Sequence, residues 1–243
     1  MMPPAWLGQG WLAPHYLGWM AQGALLTAWL AVQVCLAATV LGALLAVAHD
    51  SPRLGVRHIV RGWLGLHRNT PLMVQLLIWY FGVASCLPDE AMQWLNTPRA
   101  LTLGGFSLGW PSFEWLAAWV ALTCYSAAFI AEEIRAGVRG VASGQYAAAL
   151  ALGMSRWQAL RWIVLPQALR LAWRPLLGQY LTVIKNTSLT MAIGVAELSY
   201  TSRQVETETL LTFQAFAIAS ALYLLLVLGA QWAGLRTRAG RPA

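Results

Sequence analysis

"GQYAAALALGMSRWQALRWIVLPQ" occupies residues 144–167 and carries Arg156, Arg161 and Pro166. Its composition favours a helix, small on one side, yet its two arginines make it a poor membrane span. Long apolar runs flank it on both sides. What such a segment does depends on what those runs are.

Of the 243 residues, 58% are hydrophobic and only 10% are charged. A soluble domain carries about 25% charged residues. Fourteen tryptophans point the same way, since Trp collects at membrane interfaces. The composition is that of a polytopic membrane protein. The net charge of +7 comes from fifteen arginines and one lysine that are not gathered on one polar segment, so no nucleic-acid surface is expected. Cys35, Cys86 and Cys124 lie far apart inside apolar runs without His or Asp neighbours, and read as packing residues. Neither a metal site nor a disulfide frame is expected. The first twenty residues lack a basic start, so no signal peptide stands out. With Trp6, Trp11, Tyr16 and Trp19 they read as a short interfacial segment.

A helix crosses the hydrocarbon core with about 20 apolar residues. Five stretches meet this: 21–48, 71–87, 115–131, 175–196 (interrupted by Lys185) and 209–235. The expected fold is all-α and transmembrane, a single domain over residues 1–243. Arginines 53, 57, 61 and 68 follow the first span, six lie between the third and fourth, and three follow the fifth. The other connections hold only Arg99 and Arg203, beside acidic residues. The positive-inside rule therefore predicts thirteen arginines inside and two outside, the N-terminus outside and the C-terminus in the cytoplasm. The external loop 88–112 is too polar to span and too small for a domain. The opening stretch is thus predicted to be cytoplasmic.

As a helix, residues 145–152 bring Ala148, Ala149 and Leu152 together between Gly144 and Gly153. One reading is a loop helix packed on its own spans. The other is a small-residue surface for another protein. In register here are Ala148, Ala149, Gly153, Ile163, Leu165 and Pro166. This resembles the signature loop of ABC importer permeases, written E-A-A, three residues, G, nine residues, I-x-L-P. "EEIRAGVRGVASGQ" (132–145), "LPQALR" (165–170), "KNTSLTMAIGVAEL" (185–198) and "HRNTPLMVQ" (67–75) are similar to the polar amino acid branch. The resemblance covers about residues 16–235.

It implies a five-helix type I ABC importer permease core in the bacterial inner membrane. It also implies a coupling helix at about 144–156, with Gly144, Gln145, Ala147, Ala148, Ala149, Gly153, Met154 and Ser155 facing an ATP-binding cassette subunit. One departure is that Ala147 stands where most members have glutamate. Glutamate/aspartate importer permeases have a similar "GQ-x-x-A-A-L-A-x-G" form and work beside a second, different permease, which implies a heterodimer. The resemblance also implies an external substrate-binding protein, with membrane lipid around the spans.

The chain has no P-loop, no G-x-S-x-G elbow and no HExxH; its single lysine follows no glycine-rich loop. No catalytic residue, metal or cofactor is therefore expected in it, and ATP with its magnesium falls to the partner ATPase. Lys185, deep in the fourth span, costs about 2.5–3.5 kcal/mol on insertion scales and should face protein, water or substrate. It reads as lining the pathway or as a structural lysine. Asn186, Thr187 and Ser188 are poor helix formers that invite a break or a polar lining. Glu197 reads as part of an external gate or as a solvated helix end. Asn69 and Thr70 are further pathway candidates, or caps for the helix that Pro71 opens. Gln179 and Tyr180 are weaker ones, and Glu132 and Glu133 are expected to pair with Arg135 or Arg139. The function expected is a permease subunit of an importer for polar amino acids, glutamate or aspartate foremost. An ion-coupled secondary transporter and a membrane enzyme or scaffold are the rivals.

Overall fold

A computed structural model of the chain describes residues 11–97, 100–103, 106–109 and 111–237. Helix α1 runs over Pro14–His49, with Pro14 in its first turn where the missing N–H costs nothing. Met20, Thr27, Leu30, Val34 and Ala38 are buried on one side. Leu25, Trp29, Val32, Leu36, Val40 and Val47 are exposed on the other. A helix apolar on both faces suits a position between protein and lipid. Residues 14–20, expected in a separate interfacial segment, are the first turns of this helix; residues 1–10 lie outside the described set.

After α1 come α2 (Leu54–Asn69), then α3 (Leu72–Leu77), a π-helical turn (Ile78–Gly82) and α4 (Val83–Cys86). The connection 88–112, expected as a loop too polar to span, carries a short helix, α5 (Asp89–Asn96), and an antiparallel hairpin of β1 (Ala100–Leu103) and β2 (Phe106–Gly109). Cys86, expected to be buried, is exposed at the edge of this region; Cys35 and Cys124 are half-buried.

Helix α6 (Phe113–Arg139) is capped by Ser112, whose side chain accepts from the Trp115 N–H. It is the central element, packed along α1 and then against α9 (Leu165–Asn186). Small buried residues make that possible: Ala117, Ala118, Ala121, Ala127 and Ala131 let neighbouring backbones come close. At Gly137 a Cβ would lie 2.6 Å from the Ala168 carbonyl oxygen and 2.7 Å from the Ala172 Cβ.

Beyond α6 lie α7 (Ser143–Ala151) and α8 (Arg156–Gln158). Helical backbone then continues unbroken through a π segment (Ala159–Val164), α9 and a 3-10 segment (Thr187–Ile193). The π segment ends just before Pro166, whose ring would otherwise meet the carbonyl four residues back. This helix begins well before the expected fourth span, 175–196, because Arg161, Arg170 and Arg174 hide it from a hydropathy reading. The chain closes with α10 (Leu198–Thr209) and α11 (Thr212–Arg236). Helices α1, α6 and α11 are long and apolar enough to cross a membrane, and Leu72–Cys86 is a shorter apolar helix.

Candidate functional site

Two zones hold the residues singled out in the sequence. The first is the exposed turn of α7 and α8. Helix α7 ends at Gly153, whose φ of +83° is left-handed. The Gly153 N–H donates to the Leu150 carbonyl (3.0 Å) and the Met154 N–H to the Ala149 carbonyl (3.1 Å). This is a Schellman stop, which satisfies carbonyls that the helix end would orphan. Two residues on, Ser155 and Gln158 form a reciprocal capping box: the Gln158 N–H donates to Ser155 Oγ (3.2 Å) and the Ser155 N–H to Gln158 Oε1 (2.8 Å). The expected helix over 144–156 is therefore two helices with a fixed corner between them.

On α7 only Ala149 is buried; Gly144, Gln145, Ala147 and Ala148 are open to solvent, and Leu152 beyond it is 84% exposed. Helix α7 packs on the π segment, and Gln167 Nε2 donates to Gln145 Oε1 at 3.4 Å. Beside it lies a groove of about 540 Å³ lined by Val138, Tyr146, Arg156, Trp157, Leu160 and Val164.

An ion network braces the same end of the molecule. Glu132 pairs with Arg135 (3.0 Å) and Arg68 (3.6 Å), and Arg135 reaches Asp50 (3.4 Å), joining α6, α2 and the end of α1. Burial raises the Asp50 carboxyl, but the hydrogen bond from His49 and the Arg135 guanidinium outweigh it and hold the group below its ordinary range. Glu133 instead accepts from Gln179 Nε2 at 3.4 Å. Asn69 and Thr70 do not cap α3. Thr70 Oγ1 donates back to the Leu66 carbonyl (2.8 Å) and accepts from Gln75 Nε2 (2.7 Å), closing α2.

The second zone runs from Lys185 to Glu197. Lys185 is exposed, and among the described residues no carboxylate pairs with it. Along the exposed side of α9, Gly178 and Lys185 lie at helical spacing, seven residues apart, with half-buried Thr182 between them. The hydroxyls of Thr187, Ser188 and Thr190 each donate to the carbonyl three residues back, at 2.7 Å. That i−3 pattern matches the 3-10 turn, so the run tightens the helix instead of breaking it, the first of the two outcomes expected of these residues.

Glu197 is fully buried, which overturns its reading as a solvated helix end. It caps α10 by accepting from the Tyr200 N–H (3.0 Å), and it accepts from Thr27 Oγ1 (3.2 Å) and from the Tyr223 hydroxyl. Thr27 Oγ1 in turn accepts from the Leu198 N–H (3.1 Å), so one carboxyl joins α1, α10 and α11. Thr27 and Tyr223 escaped the sequence reading. Their only signal is a hydroxyl within an apolar run. Tyr180 shares a hydrogen bond of 2.9 Å with Thr39 on α1.

Residues 38–235 match the family model of the binding-protein-dependent transport system inner membrane component. The chain belongs to that family. Among similar permeases is the glutamine transport system permease protein GlnP of Escherichia coli (strain K12), 30% identical over 86% of each chain. The probable glutamine ABC transporter permease protein GlnM of Bacillus subtilis (strain 168) is 34% identical over 68% of this chain and 69% of its own. The glutamate/aspartate import permease protein GltJ of Escherichia coli (strain K12) is 25% identical over 87% of this chain and 82% of its own. A crystal structure of an amino acid ABC transporter with histidines is similar at 25% identity with a TM-score of 0.76, covering 90% of this chain and 92% of that one. The permease thus has the helical transmembrane fold of a type I ABC importer subunit.

Proposed function

We propose that this permease forms the translocation pathway of an ATP-driven importer of polar amino acids, with glutamate or aspartate as substrate. The observation that carries the reading is the α7–α8 corner: a short helix, exposed on all but one residue, ended by a Schellman stop and followed at once by the capping box that opens α8. Such an element is stiff and has nothing of its own to cover it, as a docking helix for a separate ATPase requires. Gln145, Ala147, Ala148, Met154 and Ser155 would meet the partner there. ATP and magnesium would be held by that partner. Ala147 offers no carboxylate, so packing of small residues would replace polar contact at that point.

The arginine-rich end is the cytoplasmic one in this reading, by the positive-inside rule. A second, different permease would face the exposed side of α9 at Gly178, Thr182 and Lys185. An external binding protein would deliver substrate to the side of Glu197. Lys185, Asn186 and Ser188 would line the pathway; Thr187, fully buried, would not, and Glu197 would hold the outer wall together. Mixed relatives, carrying glutamine and glutamate/aspartate in their names, support a polar amino acid. The test is reconstitution with the ATPase, the second permease and the binding protein in vesicles. Uptake of labelled glutamate or aspartate that needs ATP supports the reading. Uptake of glutamine alone would move the substrate. Uptake driven by an ion gradient without ATP would refute it.

A further inference from the structure

A cavity of about 480 Å³ lies between the 3-10 segment, α10 and α11, lined by Ser188, Ser199, Arg203, Phe216, Ser220 and Tyr223. On α10, Ser199 and Arg203 are four residues apart; on α11, Phe216, Ser220 and Tyr223 recur at helical spacing. In the 3-10 segment Ser188 and Met191 also line it, three residues apart and so one above the other. Lys185 is three residues further back, which sets the cavity beside the side of α9 assigned above to the pathway. Polar and charged groups at membrane depth line cavities, not acyl chains.

The direction of the hydrogen bonds shows what this wall can hold. Tyr223 has one hydroxyl hydrogen and gives it to the Glu197 carboxylate. In its 2.9 Å bond with Ser199, Tyr223 is therefore the acceptor and Ser199 the donor. With its hydrogen spent, Ser199 Oγ can only accept from the cavity. Buried Glu197 stands behind this chain, and among the described residues no cation pairs with it. The wall at Ser199 is thus an acceptor backed by a negative charge, which suits an ammonium. One turn on, Arg203 is exposed, and its acid partner Glu206 is 3.9 Å away and also accepts from Thr212. A guanidinium has five N–H donors in a planar fork, so most of it is left for a carboxylate. Residues one turn apart are neighbours, about 5–6 Å between Cβ atoms, close enough for both charged groups of one α-amino acid.

We infer that this cavity holds the main-chain end of an α-amino acid in transit, its ammonium on Ser199 and its carboxylate on Arg203. The site rests on the importer reading given under Proposed function and narrows it. It reads what all amino acids share and leaves the side chain free.

The complete importer, carrying Ser220→Cys in a background without Cys35, Cys86 and Cys124, is placed in lipid nanodiscs. Labelling of that cysteine by a charged thiol reagent is timed with and without a non-hydrolysable ATP analogue. Glutamate and glutamine should each slow it several-fold in at least one nucleotide state. Glutarate, which lacks the ammonium, and N-acetylglutamate, which masks it, should not. Arg203→Gln should raise the glutamate concentration required on the order of tenfold, and Arg203→Lys should restore most of the effect. Ser199→Ala should weaken protection to a similar degree. Protection by glutamate but not glutamine would put a side-chain carboxylate on Arg203 and overturn the assignment. Equal protection by glutarate would overturn it too, as would no labelling in either state, which would mean a cavity closed to water. Slow labelling without any amino acid in phosphatidylethanolamine discs, relieved in phosphatidylglycerol discs, would give the site to a lipid headgroup and also overturn it. Uptake is measured in parallel in vesicles. ATP-driven uptake without protection removes this site alone, whereas no ATP-driven uptake of any amino acid removes the importer reading itself.

Discussion

Gly153 stands at a φ of +83° with nothing within 4 Å of where a Cβ would sit, so its backbone, not its size, is what the site needs. Left-handed backbone costs an L-residue about 1–2 kcal/mol. Gly153→Ala should therefore leave the permease folded and loosen the corner. Hydrogen exchange over residues 150–156 should quicken, and transport-linked ATPase should fall several-fold. Unchanged exchange would mean the Schellman stop is not what fixes the turn. Glu197 is the opposite case, a side chain that matters through its partners. Glu197→Ala removes hydrogen bonds from Thr27, Tyr223 and the Tyr200 N–H, at about 2–3 kcal/mol in total. Its thermal unfolding in detergent should come several degrees earlier. Tyr223→Phe, which loses one of those bonds, should show a smaller drop.

The contact of α6 with α9 depends on a missing side chain. A methyl at Gly137 would press on the Ala168 carbonyl and Ala172, both backbone-anchored, so Gly137→Ala should cost about 1–3 kcal/mol by overpacking. A melting point equal to that of the unsubstituted protein would show that the helices can part freely. Sequence reading handles such elements unevenly. Helices α1, α6 and α11 are legible because apolar residues run through them without interruption. Only the second half of α9 is, within the expected span 175–196, because Arg170 and Arg174 hide its first half from hydropathy. The short α10 was lost between two spans, since Arg203, Glu206 and Glu208 read as a connection. At the site, the position of the α7 corner was legible from its spacing. Its division into two helices was not, although Gly153 and the Ser155–Gln158 pair are the signals that make it. Glu197 could be singled out as a charge near a helix end, but only packing reveals that Thr27, some 170 residues away, meets it.

At the scale of the molecule, one side of α9 has no cover of its own. Gly178, Thr182 and Lys185 share that side, and a lysine there does not suit acyl chains. A second permease facing it predicts that Gly178→Cys or Thr182→Cys, in a background lacking Cys35, Cys86 and Cys124, crosslinks to a neighbouring permease in native membranes. Crosslinks confined to lipid-exposed controls such as Val40→Cys would refute that arrangement. The ion network from Asp50 through Arg135 and Glu132 to Arg68 ties α1, α2 and α6 together at the end where α7 lies. The corner there has a further consequence. Its stop and its start are both set by local hydrogen bonds, within residues 149–158. The segment thus carries its own shape, which, with the docking role proposed above, predicts that it can be exchanged between related transporters as a graft. A chimera that receives residues 143–158 from another importer should inherit that donor's choice of motor while keeping its own cargo.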